Sequence, residues 1–195
     1  PPHDSKDAVE RILDLPADFE PDSRYEYSNT NYLLIGELIK KVTQADKFEY
    51  IKTNILLPLG LQDTYGSIRE VDPDRVMSGY YVGVEEDIKM TDYGSMLATA
   101  ADVGVFLRAL NDGSLFEGDE AQIYAGLYEF EHTGLIPGYQ SIAWYEKEID
   151  TVIVQFTNTT DFDGYNWNLA DIMYWRIVRI LKKRRPQNTG DLRLG

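Results

Sequence analysis

The chain contains no cysteine, so it can build no disulfide, thiol nucleophile or thiolate-ligated metal. Positive charge is scarce: 19 Lys and Arg stand against 33 Asp and Glu, a formal net charge of −14. Nucleic-acid affinity rests on clustered Lys and Arg, so this balance argues against a nucleic-acid partner. There are only 2 histidines. No apolar run reaches the roughly 18 residues that a membrane-spanning helix requires. No signal peptide is visible, and the first residue is Pro1 rather than Met. The expectation is that an upstream segment has been removed, which leaves the compartment open. Internal repeats and low-complexity linkers are also absent.

What is present is ordinary globular composition. The 195 residues are 43% hydrophobic and 27% charged, enough for one domain with a core that needs no staples. Asp4-Ser5 can cap a short helix over about residues 6–14 with Val9, Ile12 and Leu13 as its stripe, ended by Pro16. Residues 19–23 read as a turn. From Asn29 to about Thr43 the spacing is helical, with Tyr32, Leu33, Ile35, Gly36, Leu38 and Ile39 expected to face inward and Lys40-Lys41 at the cation-favouring end. Asp46 and Glu49 form a capping box for a helix through about Asn54, which Pro58-Leu59-Gly60-Leu61 breaks. Residues 76–84 fit either a strand or a loop. Thr99 and Asp102 form a second capping box, opening a helix that carries Val103, Phe106, Leu107 and Leu110 and stops at Gly113.

Beyond residue 127 the period becomes strand-like. Residues 139–146 and 151–157 read as an antiparallel hairpin, apolar on both faces and therefore covered on both sides. A closing helix over 168–183 is expected to bury Leu169, Ile172, Met173, Ile177, Ile180 and Leu181. This order predicts an α+β fold, mainly helical over about 1–126, with antiparallel strands and a C-terminal helix over about 127–195.

Two stretches carry candidate chemistry. Tyr27-Ser28-Asn29 opens the 29–43 helix, where free N–H groups and positive potential suit an anionic or polarised substrate group. A tyrosine there can act as a base if a nearby cation lowers its pKa. Equally, Ser28 or Asn29 simply caps the helix while Tyr27 packs as a hydrophobic staple. His132-Thr133-Gly134 leads through Leu135 into a glycine-rich turn, and exposed main-chain N–H groups at such a strand can form an oxyanion hole. The bland alternative is a surface histidine before a hairpin turn. Three other patches read as ordinary surface. Asp161 to Gly164 lacks the ligands of a calcium loop, Asn158-Thr159-Thr160 matters as a sequon only in a eukaryotic secretory setting, and Lys182 to Arg185 sit where a helix end favours cations.

Taken together, the motifs resemble those of the serine β-lactamase-like family, which includes class C β-lactamases, D-Ala-D-Ala carboxypeptidases and related esterases. Residues 19–36 resemble its Tyr-Ser-Asn motif with the following Tyr-x-Leu-Leu-Gly pattern, and Pro58-Leu59-Gly60-Leu61 resembles its Pro-Leu-Gly-Met segment. Thr99 to Gly113 resembles its Ser/Thr-x-x-Asp helix, and His132-Thr133-Gly134 resembles its Lys- or His-Thr-Gly motif with Pro-Gly-Tyr-x-Ser after it. The likeness runs in order over most of residues 15–160.

The resemblance implies a serine acyl hydrolase on a bacterial β-lactamase/penicillin-binding-protein-like fold, acting outside the cytoplasm on a small peptide, ester or lactam, with no metal or organic cofactor. It implies Tyr27 as general acid/base, Asn29 as the holder of substrate amide and lysine, and His132 as a source of hydrogen bonds and electrostatics. Ser28, Thr133, Gly134 and Leu135 line the substrate, the Leu135 N–H serving as an oxyanion donor. The family's nucleophile belongs to a Ser-x-x-Lys helix, and no serine in this chain has a lysine three residues on. The chain therefore resembles one partial domain over 1–195, without the first strands and nucleophile helix, and inactive alone. A non-catalytic peptide- or cell-wall-binding relative is one rival reading. A segment completed by another chain, or a homo-oligomer, is the other.

Overall fold

The computed structural model describes residues 9–13, 15–126, 131–164 and 166–184. The expected cap of the first helix at Asp4-Ser5 lies outside these residues. The chain divides into two compact units, residues 1–60 and 61–195.

The first unit is helical. Helix α1 spans Asn29–Thr43 and is capped by Ser28, whose side chain accepts the Thr30 N–H, while Gln44 closes it in the left-handed region at φ 60°. Its apolar positions differ from expectation, because none of its residues is buried and Tyr32, Ile35 and Leu38 are exposed. Helix α2, Lys47–Ile51, starts at Asp46, whose carboxylate accepts the Phe48 N–H. It runs on as a π-helical turn through Leu56, two residues past the expected end, before Gly60 turns the chain at φ +70°.

The second unit is an antiparallel sheet of β4 (Glu131–Ile136), β5 (Tyr139–Glu146) and β6 (Thr151–Thr157) in that order, with a helix on each face. Successive strand residues point to opposite faces, so Ala143 meets Leu107 and Leu110 of α3 (Ala100–Asp112), together with Val152 and Val154. Ile142 and Ile153 on the other face meet Ala170, Tyr174 and Val178 of the closing helix. That helix follows the short helix α4 (Glu120–Ala125) in chain order and is α5, Asn166–Arg184. The two-sided cover inferred from the strands is thus present. The expected stripe of α5 is corrected: Leu169, Ile172, Met173, Ile177 and Ile180 are exposed, and the buried line is one step round, at Ala170, Tyr174 and Val178 with Leu181 against it. A small Ala and a flat Tyr fit close to the sheet, and Trp144 stacks edge-on against Tyr174 at 5.4 Å.

Four two-residue strands flank this core: β1 (Thr64–Tyr65) pairs with β3 (Leu97–Ala98), and β2 (Tyr80–Tyr81) pairs in parallel with β7 (Thr159–Thr160). The Thr99–Asp102 box is half made. The Thr99 hydroxyl accepts the Asp102 N–H, but the Asp102 carboxylate accepts from the Asp63 N–H at 2.9 Å and the Thr64 hydroxyl at 2.8 Å, tying β1 to the start of α3.

Candidate functional site

Tyr27, Ser28 and Asn29 sit at the N-terminus of α1, in the first unit. Ser28 is extended (φ −141°, ψ 127°), the ordinary N-cap conformation. The Tyr27 ring lies 5.7 Å from Tyr32, the staple contact between the residue before the cap and the fourth helical residue. Its hydroxyl donates to the Asn29 side-chain amide oxygen, Oδ1, at 2.9 Å. Tyr27 is 59% exposed, so the ring is tethered while the hydroxyl oxygen keeps a lone pair toward solvent. The capping reading of this motif is therefore correct for Ser28. It leaves the Tyr27 hydroxyl and the Asn29 amide N–H groups displayed together at the positive end of a 15-residue helix.

His132, Thr133, Gly134 and Leu135 lie on β4 in the second unit. β4 is the outer strand of its sheet, paired with β5 on one side only among the described residues. His132 opposes Ala143, Thr133 opposes Ile142, Gly134 opposes Ser141 and Leu135 opposes Gln140. His132, Thr133 and Leu135 are exposed, so this edge is open to a ligand. Partial desolvation against the sheet lowers the His132 pKa below its ordinary value, favouring neutral imidazole near pH 7. Gly134 has a structural reason: a Cβ there would stand 2.6 Å from the Ser141 hydroxyl.

The end of β4 is anchored by residues that the sequence flagged only as a turn motif. Pro137 and Gly138 (φ +85°) make the central pair of a tight turn. The Gly138 N–H donates to the Thr160 hydroxyl at 2.7 Å, which in turn donates to the Ile136 carbonyl. Tyr139 donates to the Met77 carbonyl at 2.6 Å with its ring over Gly79, where a Cβ would be 2.6 Å from the ring. Burial, then the nearby Asp87 carboxylate, pushes the Tyr139 pKa up to about 12. Asp87 accepts the Gly79 and Lys89 N–H groups, and the Gly79 bond chiefly holds its pKa below the usual range. Residues 77–89 are thereby stitched to the hairpin turn. Thr160, read in the sequence only as part of a surface sequon, is buried, because its partners Gly138 and Ile136 lie 22 and 24 residues away; Gly79 and Asp87 carried no sequence signal.

A family model described as Beta-lactamase matches residues 1–128. The chain belongs to the Beta-lactamase family. The match ends before β4, so it covers Tyr27, Ser28 and Asn29 but not His132. A penicillin-binding protein of Bacillus subtilis is 27% identical over 169 residues, 86% of this chain and 36% of that protein. A putative D-alanyl-D-alanine carboxypeptidase of Salmonella paratyphi B is 34% identical over 56 residues, 29% of this chain and 13% of that protein. The chain thus spans about a third or less of the length of these relatives. Among solved structures, D-amino acid amidase of Ochrobactrum anthropi superposes with a TM-score of 0.77 at 23% identity, over 94% of this chain and 65% of that one. The chain therefore has the α+β fold of the β-lactamase and penicillin-binding-protein group. No helix among its described residues is long and apolar enough to cross a membrane.

Proposed function

We propose that this chain is the larger, C-terminal part of a serine acyl hydrolase domain acting on a small peptide, ester or lactam. The observation that carries the reading is the Tyr27 hydroxyl, exposed and held 2.9 Å from Asn29 at the start of a capped helix in the Beta-lactamase match. In this reading Tyr27, Asn29 and His132 are the catalytic residues. Tyr27 relays protons as general acid/base, Asn29 positions the substrate amide through its N–H groups, and His132 supplies neutral hydrogen bonding. Ser28 fixes the helix start, Thr133 and Gly134 line the strand edge, and the Leu135 N–H stabilises the oxyanion. The nucleophile comes from residues outside these 195, which together form one partial domain. Action outside the cytoplasm is part of the proposal, supported by the kind of relatives found.

The absence of any Ser-x-x-Lys in the sequence favours a second reading, a non-catalytic relative that binds peptide or cell-wall fragments in the same groove, or a segment completed by another chain. Fluorophosphonate labelling separates them. The 195-residue chain is expected to remain unlabelled, and the product of the complete reading frame to be labelled at a serine outside residues 1–195. In that product Tyr27→Phe is expected to slow acylation by about 10²–10⁴-fold, the range for a lost acid/base group, with the melting temperature unchanged. Stoichiometric labelling of Ser28 or Ser141 would refute the placement of the nucleophile, and no labelling of either protein would favour the binding relative.

A further inference from the structure

The register of the hairpin decides which main-chain groups of β4 turn outward. Pro137 and Gly138 form its two-residue turn, so Ile136 and Tyr139 are the closing, hydrogen-bonded pair of the β4–β5 ladder. Opposed pairs in an antiparallel ladder alternate between hydrogen-bonded and non-hydrogen-bonded. Gly134–Ser141 and His132–Ala143 are therefore bonded across the ladder, whereas Thr133 and Leu135 turn their N–H and C=O groups away from β5. The Leu135 N–H thus projects from the outer side of β4, two residues before the turn begins at Pro137.

A hydroxyl from farther along the chain fixes that end of β4. Thr160 accepts the Gly138 N–H at 2.7 Å and donates to the Ile136 carbonyl at 3.3 Å, so one side chain clamps both sides of Pro137. Thr160 is 2% exposed and Gly138 is buried, which shields these bonds from solvent. Thr160 is itself located by main chain rather than by its hydroxyl. It pairs with Tyr81, and its carbonyl accepts the Val82 N–H at 3.0 Å. Two residues earlier, the Asn158 carbonyl accepts the Tyr80 N–H and the Asn158 side chain donates to the Ser78 carbonyl, both at 3.0 Å. The turn rests closely on residues 79–88: a Cβ at Gly138 would stand 2.8 Å from Ile88 Cδ1 and 3.4 Å from the Gly79 carbonyl carbon.

From this arrangement we propose that Thr160 is a positioning residue for acyl transfer, its hydroxyl holding residues 136–138 so that the adjoining Leu135 N–H is fixed where it meets the developing oxyanion. The proposal rests on the acyl-hydrolase reading above. Oxyanion stabilisation depends on donors preorganised for the transition state, and a displacement of about 1 Å can cost on the order of 10²-fold in rate. Removing the hydroxyl takes the acceptor from the buried Gly138 N–H, and the turn must shift to regain one, moving Leu135 with it.

The test uses the product of the complete reading frame and two labelling reagents, a fluorophosphonate and the matching fluorophosphonothioate. Sulfur in place of the phosphoryl oxygen is a weak hydrogen-bond acceptor, so the ratio of the two labelling rates reports the oxyanion donors. Thr160→Val keeps the branched shape and loses the hydroxyl. It is expected to lower the maximal labelling rate by about 10- to 100-fold at an unchanged half-saturating concentration, and to shrink the parent's preference for the oxygen reagent by about tenfold. Thr160→Ser is expected to restore most of the rate and the preference. Labelling of Thr160→Val as fast as the parent, or slower with the parental preference intact, overturns this proposal and leaves the hydrolase reading standing. Where Thr160→Val does not fold, Thr160→Ser decides: a parental preference supports the clamp, and a preference lost despite the hydroxyl overturns it. No labelling of the parent overturns both this proposal and the acyl-hydrolase reading.

Discussion

His132 shows how a single residue's setting alters its chemistry. Its pKa is depressed by desolvation, so the folded chain prefers the neutral imidazole more than the unfolded chain does. The unfolded state then binds more protons as pH falls, and stability is lost as pH drops below about 6.5, the ordinary histidine value. Above that pH the contribution is fully present. Urea midpoints measured between pH 5 and 8 are expected to fall on the acid side for the parent chain and to flatten in His132→Asn. An unchanged pH dependence in the variant would place the titrating group elsewhere. The same residue illustrates the reach of local sequence. Its strand and its glycine neighbour were legible, but the reason for Gly134, the Ser141 hydroxyl across the ladder, exists only once β4 and β5 are in register.

The two helices that cover the sheet behave differently as sequence signals. For α3 the apolar spacing picked out Leu107 and Leu110, and both are buried against Ala143. For α5 the bulkiest aliphatic residues drew the stripe, yet the sheet receives Ala170, Tyr174 and Val178. A helix with apolar residues on more than one side has no unique inner face by periodicity alone. Packing against β5 and β6 selected the side whose Ala permits close approach and whose Tyr ring meets Trp144. Leu107→Ala is expected to cost about 2–5 kcal/mol, the range for a buried leucine left as a cavity. Ile172→Ala, at a half-exposed position of α5, is expected to cost under about 0.5 kcal/mol. Chemical denaturation of the two variants compares them directly, and a larger cost at Ile172 would place that residue in a packed interface.

For the whole molecule, the notable feature is apolar surface left uncovered in both units. Tyr32, Ile35, Leu38 and Val42 of α1 are exposed, as are Leu169, Ile172, Met173 and Ile177 of α5. Patches of this kind favour association. The sheet also ends at β6 with no further strand paired to it among the described residues, which offers unsatisfied main-chain groups to another strand. The 195-residue chain by itself is expected to self-associate and to bind a hydrophobic dye, with sedimentation coefficients that rise with concentration. A monomer that melts sharply at high temperature would show that these surfaces need no partner.

Local sequence determined the helix starts at Ser28, Asp46 and Thr99, the hairpin over residues 139–157, the turn at Pro137-Gly138 and the absence of a Ser-x-x-Lys nucleophile. Each is set by a few neighbouring residues through capping, period-two alternation, restricted backbone angles or simple spacing. The tertiary structure alone decided which face of α5 is buried, that the Asp102 carboxylate serves Asp63 and Thr64 rather than its own helix cap, and that Tyr139, Gly79 and Asp87 fasten residues 77–89 to the hairpin. Those contacts join residues 8 to 62 positions apart. No local pattern encodes them, because the partner of each group is chosen by the packing of the sheet and its helices rather than by its neighbours in sequence.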